Sequence, residues 1–250
     1  MVKSIFDIER RVDFDEEYHR ILAALGNATI HRRYFWFYLD KIFTKWKYRG
    51  TAFNWQQYLG DIGIFNIEDC NDEEKFYVLQ FIANMFLLIT EKVSPTEFEN
   101  IAPIATNISR LLEKMNYQLS KIEDKYIIVK RDADVDSVLE NSKEISDYLL
   151  SYNDFAIKNN IVEKKILLKH IFDYIEKNSK KYKGINNGLY KDISFIVNNF
   201  HIRHENESQI QITKIDLVTI YDICFKMMIH LIRDYEIKTS FSVLEDMYKK

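Results

Sequence analysis

The sequence predicts an all-α protein, a multi-helix bundle carrying one small β-hairpin. Three observations lead there. Only 6 Gly and 2 Pro are spread over 250 residues, and so few breakers favour long helices over sheet-rich folds, which need more turn residues. Apolar residues recur at three- and four-residue spacing along most of the chain, the period of a helix with one buried face. The hydrophobic fraction of 47% against 29% charged residues is ordinary for a globular chain of a length that can bury a sizeable core.

Asp15 to Gly26 reads as a short amphipathic helix with Tyr18, Ile21, Leu22 and Leu25 on one face. Thr29 to Tyr48 reads as a second helix, dense in rings: Tyr34, Phe35, Trp36, Phe37, Tyr38, Phe43 and Trp46. Such rings pack a core, or they form a platform on which bases stack; His31, Arg32, Arg33, Lys41, Lys45, Lys47 and Arg49 nearby would serve the second role. The general preference of aromatics for interiors favours the core. Gly50, Gly60 and Gly63 bracket a looser stretch. Asn71 or Asp72 then caps a strong helix that ends near Lys92, with Phe76, Leu79, Ile82, Ala83, Phe86 and Leu87 in helical register.

Ser94-Pro95-Thr96-Glu97 has the form of a capping box with Pro at the first helical position. The helix it starts would run to about Met115 and be kinked or split by Pro103. The β-prone runs Asn116 to Leu119 and Lys125 to Val129, separated by Glu123-Asp124, predict a two-stranded hairpin and the only sheet. A lone hairpin is marginal, so it should pack on a helix. The charged stretch Arg131 to Asp136 is the expected boundary between halves. The chain is thus read as a helical region over 1–92, a linking helix and hairpin over 93–132, and a helical bundle over 133–250.

In that last part, helices are expected from Val135 to Lys158, with Val138, Ile145, Leu149 and Phe155 inward, and from Ile161 to about Tyr182. Lys177, Lys180, Lys181 and Lys183 cluster at the second one's end, where cations complement the helix dipole. Gly184 to Gly188 is read as a turn, followed by a helix with Leu189, Ile193, Ile196 and Phe200 on one face. Thr213 caps the closing helix, whose middle, Leu217 to Ile232, is apolar on nearly every side and so is expected at the centre of a bundle.

A net charge of −3 offers no overall field for nucleic acid, so any such contact must come from a local patch. Cys70 and Cys224 lie far apart without a CxxC partner and read as reduced core residues of a cytoplasmic protein. The start, VKSIFDIERRVDF, lacks the apolar stretch of a signal peptide, and the most apolar run, Phe81 to Thr90, is short and contains Asn84, so no membrane span is expected. No P-loop, GxGxxG, GxSxG or paired-carboxylate motif is present, and no cofactor is expected. His170 and His230, with apolar neighbours, read as core histidines with a hydrogen-bond partner.

One segment concentrates polar chemistry at the end of an amphipathic helix: Asn198-Asn199-Phe200-His201-Ile202-Arg203-His204-Glu205-Asn206-Glu207. Phe200 and Ile202 can anchor it to the core. Three readings compete. Polar residues commonly cap a helix end and face water. His201 and His204, with Glu205 or Glu207, could hold a metal, but zinc wants a third well-placed ligand and no HExxH or Cys cluster supplies one. Alternatively Arg203 holds a phosphate through its planar fork while His204 or His201 moves protons, a pairing that can cleave RNA without a metal.

The C-terminal part, from about Val135 to Ile237, resembles the HEPN superfamily (higher eukaryotes and prokaryotes nucleotide-binding domains), in the branch found at the C-terminus of abortive-infection proteins. The likeness lies in long helices, a helix ending in an Asn-rich Ile-Arg-His turn, and a long apolar closing helix. Arg203 matches the motif arginine and His204 the polar residue after it; Glu207, Ser208 and Gln209 stand where the motif's second histidine would be. The resemblance implies an up-and-down bundle, a homodimer, and a metal-independent ribonuclease acting in phage defence or beside an antitoxin. Arg203, His204 and His201 would then be catalytic, and Asn198, Asn199 and Asn206 would contact RNA. The competing expectation is a non-catalytic helical module that dimerises or holds a protein partner.

Overall fold

The computed structural model describes residues 13–92, 94, 101–204, 210 and 213–248. Among them are ten α-helices and two two-stranded sheets, and the chain divides into two units, Met1–Ile128 and Val129–Lys250. The division falls inside the second hairpin strand, just before the charged stretch read as the boundary. No described helix is long and apolar enough to cross a membrane.

In the first unit, Asp13 caps α1 (Phe14–Asn27) by accepting from the Glu16 amide, and Tyr18, Ile21, Leu22 and Leu25 are buried as the spacing requires. The run read as one helix from Thr29 instead opens with a hairpin, β1 (Thr29–Ile30) against β2 (Arg33–Tyr34), and only then enters α2 (Phe35–Ile42). The helix cannot start earlier because His31 and Arg32 both have positive φ, 50° and 61°. After a short 3-10 turn, α3 (Trp55–Asp61) is capped by Asn54. The next helix, α4 (Asp72–Thr90), starts at Asn71 with a capping box in which Asn71 and Glu74 exchange side-chain and backbone bonds of 3.0 and 2.8 Å. It is buried on most sides. Its Lys75 is also buried, neutralised by Asp15 and Asp72 at 2.8 and 3.0 Å.

The next described helix is α5 (Ala102–Lys114). Pro103 sits in its first turn, where a missing N–H leaves no bond unmade, so of the expected kink or split the structure shows a helix start here. The Pro95-Thr96-Glu97 part of the expected capping box lies outside the described residues. The expected hairpin is present as β3 (Tyr117–Ile122) and β4 (Lys125–Lys130), paired in their own sheet. Its support comes from α4 in an unexpected way. The Asn84 side chain donates to the Tyr126 carbonyl at 2.8 Å and accepts from its amide at 2.9 Å, while Gln80 accepts from Ile128 at 2.7 Å. Two helix side chains thus take the place of a third strand.

The second unit is helical. The single helix expected from Val135 to Lys158 is broken into α6 (Ala133–Asn141), α7 (Ser146–Tyr152) and two 3-10 turns. Then come α8 (Ile161–Lys177), α9 (Ser179–Asn199) and the closing α10 (Lys214–Tyr248). The chain breaks twice here: at Asn178, which the sequence did not announce, and at Asn186, inside the expected Gly184–Gly188 turn, where non-helical φ and ψ kink α9 and the Asn186 side chain accepts from the Leu189 amide at 3.0 Å. The buried core joins Leu168, Ile171 and Phe172 of α8 to Ile193 and Val197 of α9 and to Tyr221, Met228 and Ile232 of α10. As expected of a central helix, α10 packs against α6, α8 and α9, and it keeps one water-facing stripe, Thr219, Ile223, Lys226 and His230.

Asn84→Leu keeps the size of the side chain but leaves the Tyr126 amide and carbonyl without their partner. The expected loss is about 2 kcal/mol or more, since each unsatisfied buried backbone group costs about 1–3 kcal/mol. Urea unfolding measures it, and an unchanged midpoint would show that the clip does not stabilise the hairpin.

Candidate functional site

The polar segment begins where α9 ends. Helix termination here is made by the backbone: Phe200 is the C-cap, and His201 follows with φ 60°, the left-handed conformation usually given to Gly. Asn198 and Asn199 turn back on their own helix, donating to the Ser194 and Phe195 carbonyls at 2.8 and 2.7 Å. Ile202 is fully buried, the Arg203 amide donates to Val197 at 3.1 Å, and the Tyr221 hydroxyl of α10 donates to the Phe200 carbonyl at 3.1 Å. The turn is therefore sewn to both helices it joins. Asn206 lies outside the described residues.

Arg203 is fixed as firmly as the backbone beneath it. Its two terminal nitrogens donate to the two carboxylate oxygens of Glu176 on α8 at 3.0 and 2.5 Å, and Asp173 stands 3.6 Å away. The guanidinium lies over the Phe172 ring, 5.6 Å from its centroid. Arg203 holds the Glu176 carboxyl below its ordinary range, and Glu176 in turn raises the arginine. The fork that a phosphate would need is occupied by a carboxylate of matching geometry. His204 is exposed and His201 partly exposed.

The two histidines read as core residues are both at the surface. His170 stacks on Tyr148, with centroids 4.7 Å apart and planes 12° apart, and His230 lies 3.5 Å from Asp234 one turn away. Each sits on the outer side of its helix; the apolar neighbours in sequence belong to the inner side. No group of three or more His, Cys, Asp or Glu among the described residues could hold a metal. Of the cysteines, Cys224 is buried, but Cys70 is only half-buried, its Sγ donating to the Asn66 carbonyl at 3.3 Å.

Sequence reasoning missed a second polar constellation in this unit. Lys164 of α8 is buried, pairs with Asp222 of α10 and lies 4.9 Å from the Tyr152 ring; the Tyr152 hydroxyl donates to the same Asp222 at 3.0 Å. Burial and the Asp222 charge push the Tyr152 phenol far up, which keeps it a donor. The signal was available: Lys164 stands four residues before Leu168, in the register of a buried face.

No family model, curated protein or solved structure matches the chain.

The Arg203–Glu176 pair has a pH signature. Because the folded Glu176 pKa is depressed, the pair's stability is fully present above the unfolded carboxyl value near 4.5 and fades as pH falls through the lower folded value. Glu176 is partly exposed, so screening holds the contribution to about 1 kcal/mol. Arg203→Ala and Glu176→Gln should each lower the melting temperature at neutral pH by about 2–4 °C, and both should flatten its fall below pH about 4.5. Scanning calorimetry across that range checks this; melting curves identical to wild type at every pH would mean that the pair is only a surface contact.

Proposed function

We propose that this chain is a helical interaction module whose second unit assembles as a homodimer through the far, exposed part of its closing helix. The observation that carries the reading is the state of α10 beyond the bundle. From Ile237 onward the core contacts cease: Ile237, Phe241, Val243, Leu244, Met247 and Tyr248 are each more than half exposed. A helical stretch of this length is marginal when solvated on all sides, and six large apolar side chains on it call for a cover.

The stripe fits a second copy of itself. Ile237, Phe241, Leu244 and Tyr248 follow one another at spacings of four, three and four, the seam of a coiled coil. In an antiparallel pair about a two-fold axis, Ile237 meets Tyr248 of the partner subunit and Phe241 meets Leu244 of the partner subunit. The same register brings Lys238 onto the flank of Glu245 of the partner subunit, so the charges complement each other. The apolar surface available is roughly several hundred Å², below the roughly 800 Å² per partner of a standard interface, so the dimer should be concentration-dependent.

Charge reversal tests this register. Wild-type protein at tens of micromolar should scatter light as a species near twice the 30.0 kDa chain mass. Lys238→Glu and Glu245→Lys should each weaken self-association at least tenfold, a cost of about 1.4 kcal/mol. The double variant, or a mixture of the two single ones, should restore it. Wild-type protein of single-chain mass at every concentration defeats the proposal. The ribonuclease reading that the family resemblance implies is separable, because it requires the Arg203 fork to open from Glu176. Cleavage of total RNA in the presence of chelator, lost in Arg203→Ala, would establish it in place of a purely structural role for that arginine.

A further inference from the structure

The first unit carries a basic and aromatic surface that the assembly of the second does not use. It centres on the β1–β2 turn. His31 and Arg32 occupy the two central positions of a two-residue hairpin turn with φ of 50° and 61°, and the strands pair Ile30 with Arg33 and Thr29 with Tyr34. This is the geometry that Asn-Gly adopts at little cost; larger side chains are strained there. His31 packs against the Tyr38 ring, 5.7 Å between centroids, and Arg32 beside it is exposed, so strain retained in this turn points to a use for the Arg32 side chain.

What surrounds the turn indicates the ligand. Tyr34 and Phe37 are 65% and 52% exposed, while Phe35, Leu39, Ile42 and Phe43 of the same run form the core. Arg33 and Lys41 stand over the Phe37 ring at 5.5 and 5.0 Å from its centroid. Arg32, Arg33 and Lys41 are exposed and enter no ion pair among the described residues, and α2 carries a single carboxylate, Asp40. Two accessible rings, one of them flanked by Arg33 and Lys41, offer apolar faces to bases, and cations that enter no ion pair among the described residues offer positive charge to the phosphates. A duplex hides its base faces; a single strand presents them.

We infer that the β1–β2 turn and the start of α2 form a binding site for single-stranded nucleic acid, with Tyr34 and Phe37 stacking bases and Arg32, Arg33 and Lys41 contacting phosphates. The site lies on the first unit and stands whether or not the second dimerises. Net charge is −3 overall, so binding depends on this patch and falls steeply with salt.

Fluorescence anisotropy of a labelled oligouridine of about 12 nucleotides, at about 50 mM salt, reads the interaction. Tyr34→Ala and Phe37→Ala should each weaken binding about tenfold. Arg32→Gln with Arg33→Gln should flatten the slope of log affinity against log salt by about 1.4, about 0.7 for each lost single-strand contact. Replacing His31-Arg32 by Asn-Gly should separate the two roles of the turn, raising the melting temperature while lowering affinity; a merely structural turn would change only the first. An oligothymidine arm tells whether the site takes either backbone or only RNA, and both results support it. The inference is overturned if wild-type protein leaves the oligomers free at low salt, if the variants bind like wild type, if duplex binds as tightly, or if phosphatidylserine vesicles bind and the oligomers do not.

Discussion

The bidentate contact between Arg203 and Glu176 ties the end of α9 to α8. Without an anchor, a turn between two long helices could leave α9 in several directions. Here the Arg203 side chain is held by α8, its amide by the Val197 carbonyl of α9, and the neighbouring Phe200 carbonyl by Tyr221 of α10. Three helices therefore meet at one loop, with Ile202 buried beneath it. The bond from Tyr221 ties the first part of α10 to the end of α9 directly.

The same economy recurs at Asp222 and at Asn84. Asp222 accepts from Tyr152 of α7 and pairs with Lys164 of α8, so one carboxylate on α10 ties down two other helices. A buried ion pair of this kind is weak evidence for net stability, because desolvation offsets much of the attraction. It is stronger evidence for specificity: a bundle sliding by one turn would leave Lys164 charged and unpaired in an apolar interior. Asn84 acts similarly on the hairpin. Its amide matches the donor and acceptor of one strand residue, and no apolar side chain can hold that register.

The elements were legible wherever periodicity and capping agreed, as in α1 with Asp13 and α4 with Asn71 and Glu74. Reading failed where one local preference hid another. The rings from Tyr34 to Trp46 suggested an unbroken helix, and nothing in the composition of His31-Arg32 announces a turn that Asn-Gly usually makes. The interruption expected at Pro103 shows as a helix start at Ala102, with Pro103 in the first turn. Gly184 to Gly188 was legible as an interruption, since helical geometry breaks at Asn186 between them, but the additional break at Asn178 carries no glycine or proline to announce it. For the site, position was readable and partnership was not. Arg203 is separated from Glu176 by 27 residues, and no local pattern could say that an acid on α8 would reach it first.

Two arginines show why residue type alone does not decide function. Arg203 sits in the polar segment that drew attention, yet its charge is matched by Glu176 and Asp173 and its planar face is covered by Phe172. A phosphate arriving there would have to displace a carboxylate already aligned with both nitrogens, giving up one charge-assisted pair to gain another. Arg33 sits in a segment whose rings read as core and also lies over a ring, Phe37, but it is exposed and enters no ion pair among the described residues. A phosphate arriving there displaces no carboxylate among the described residues, and release of counterions favours its binding. The difference lies in what each cation must abandon, and that is set by the tertiary neighbours each helix brings.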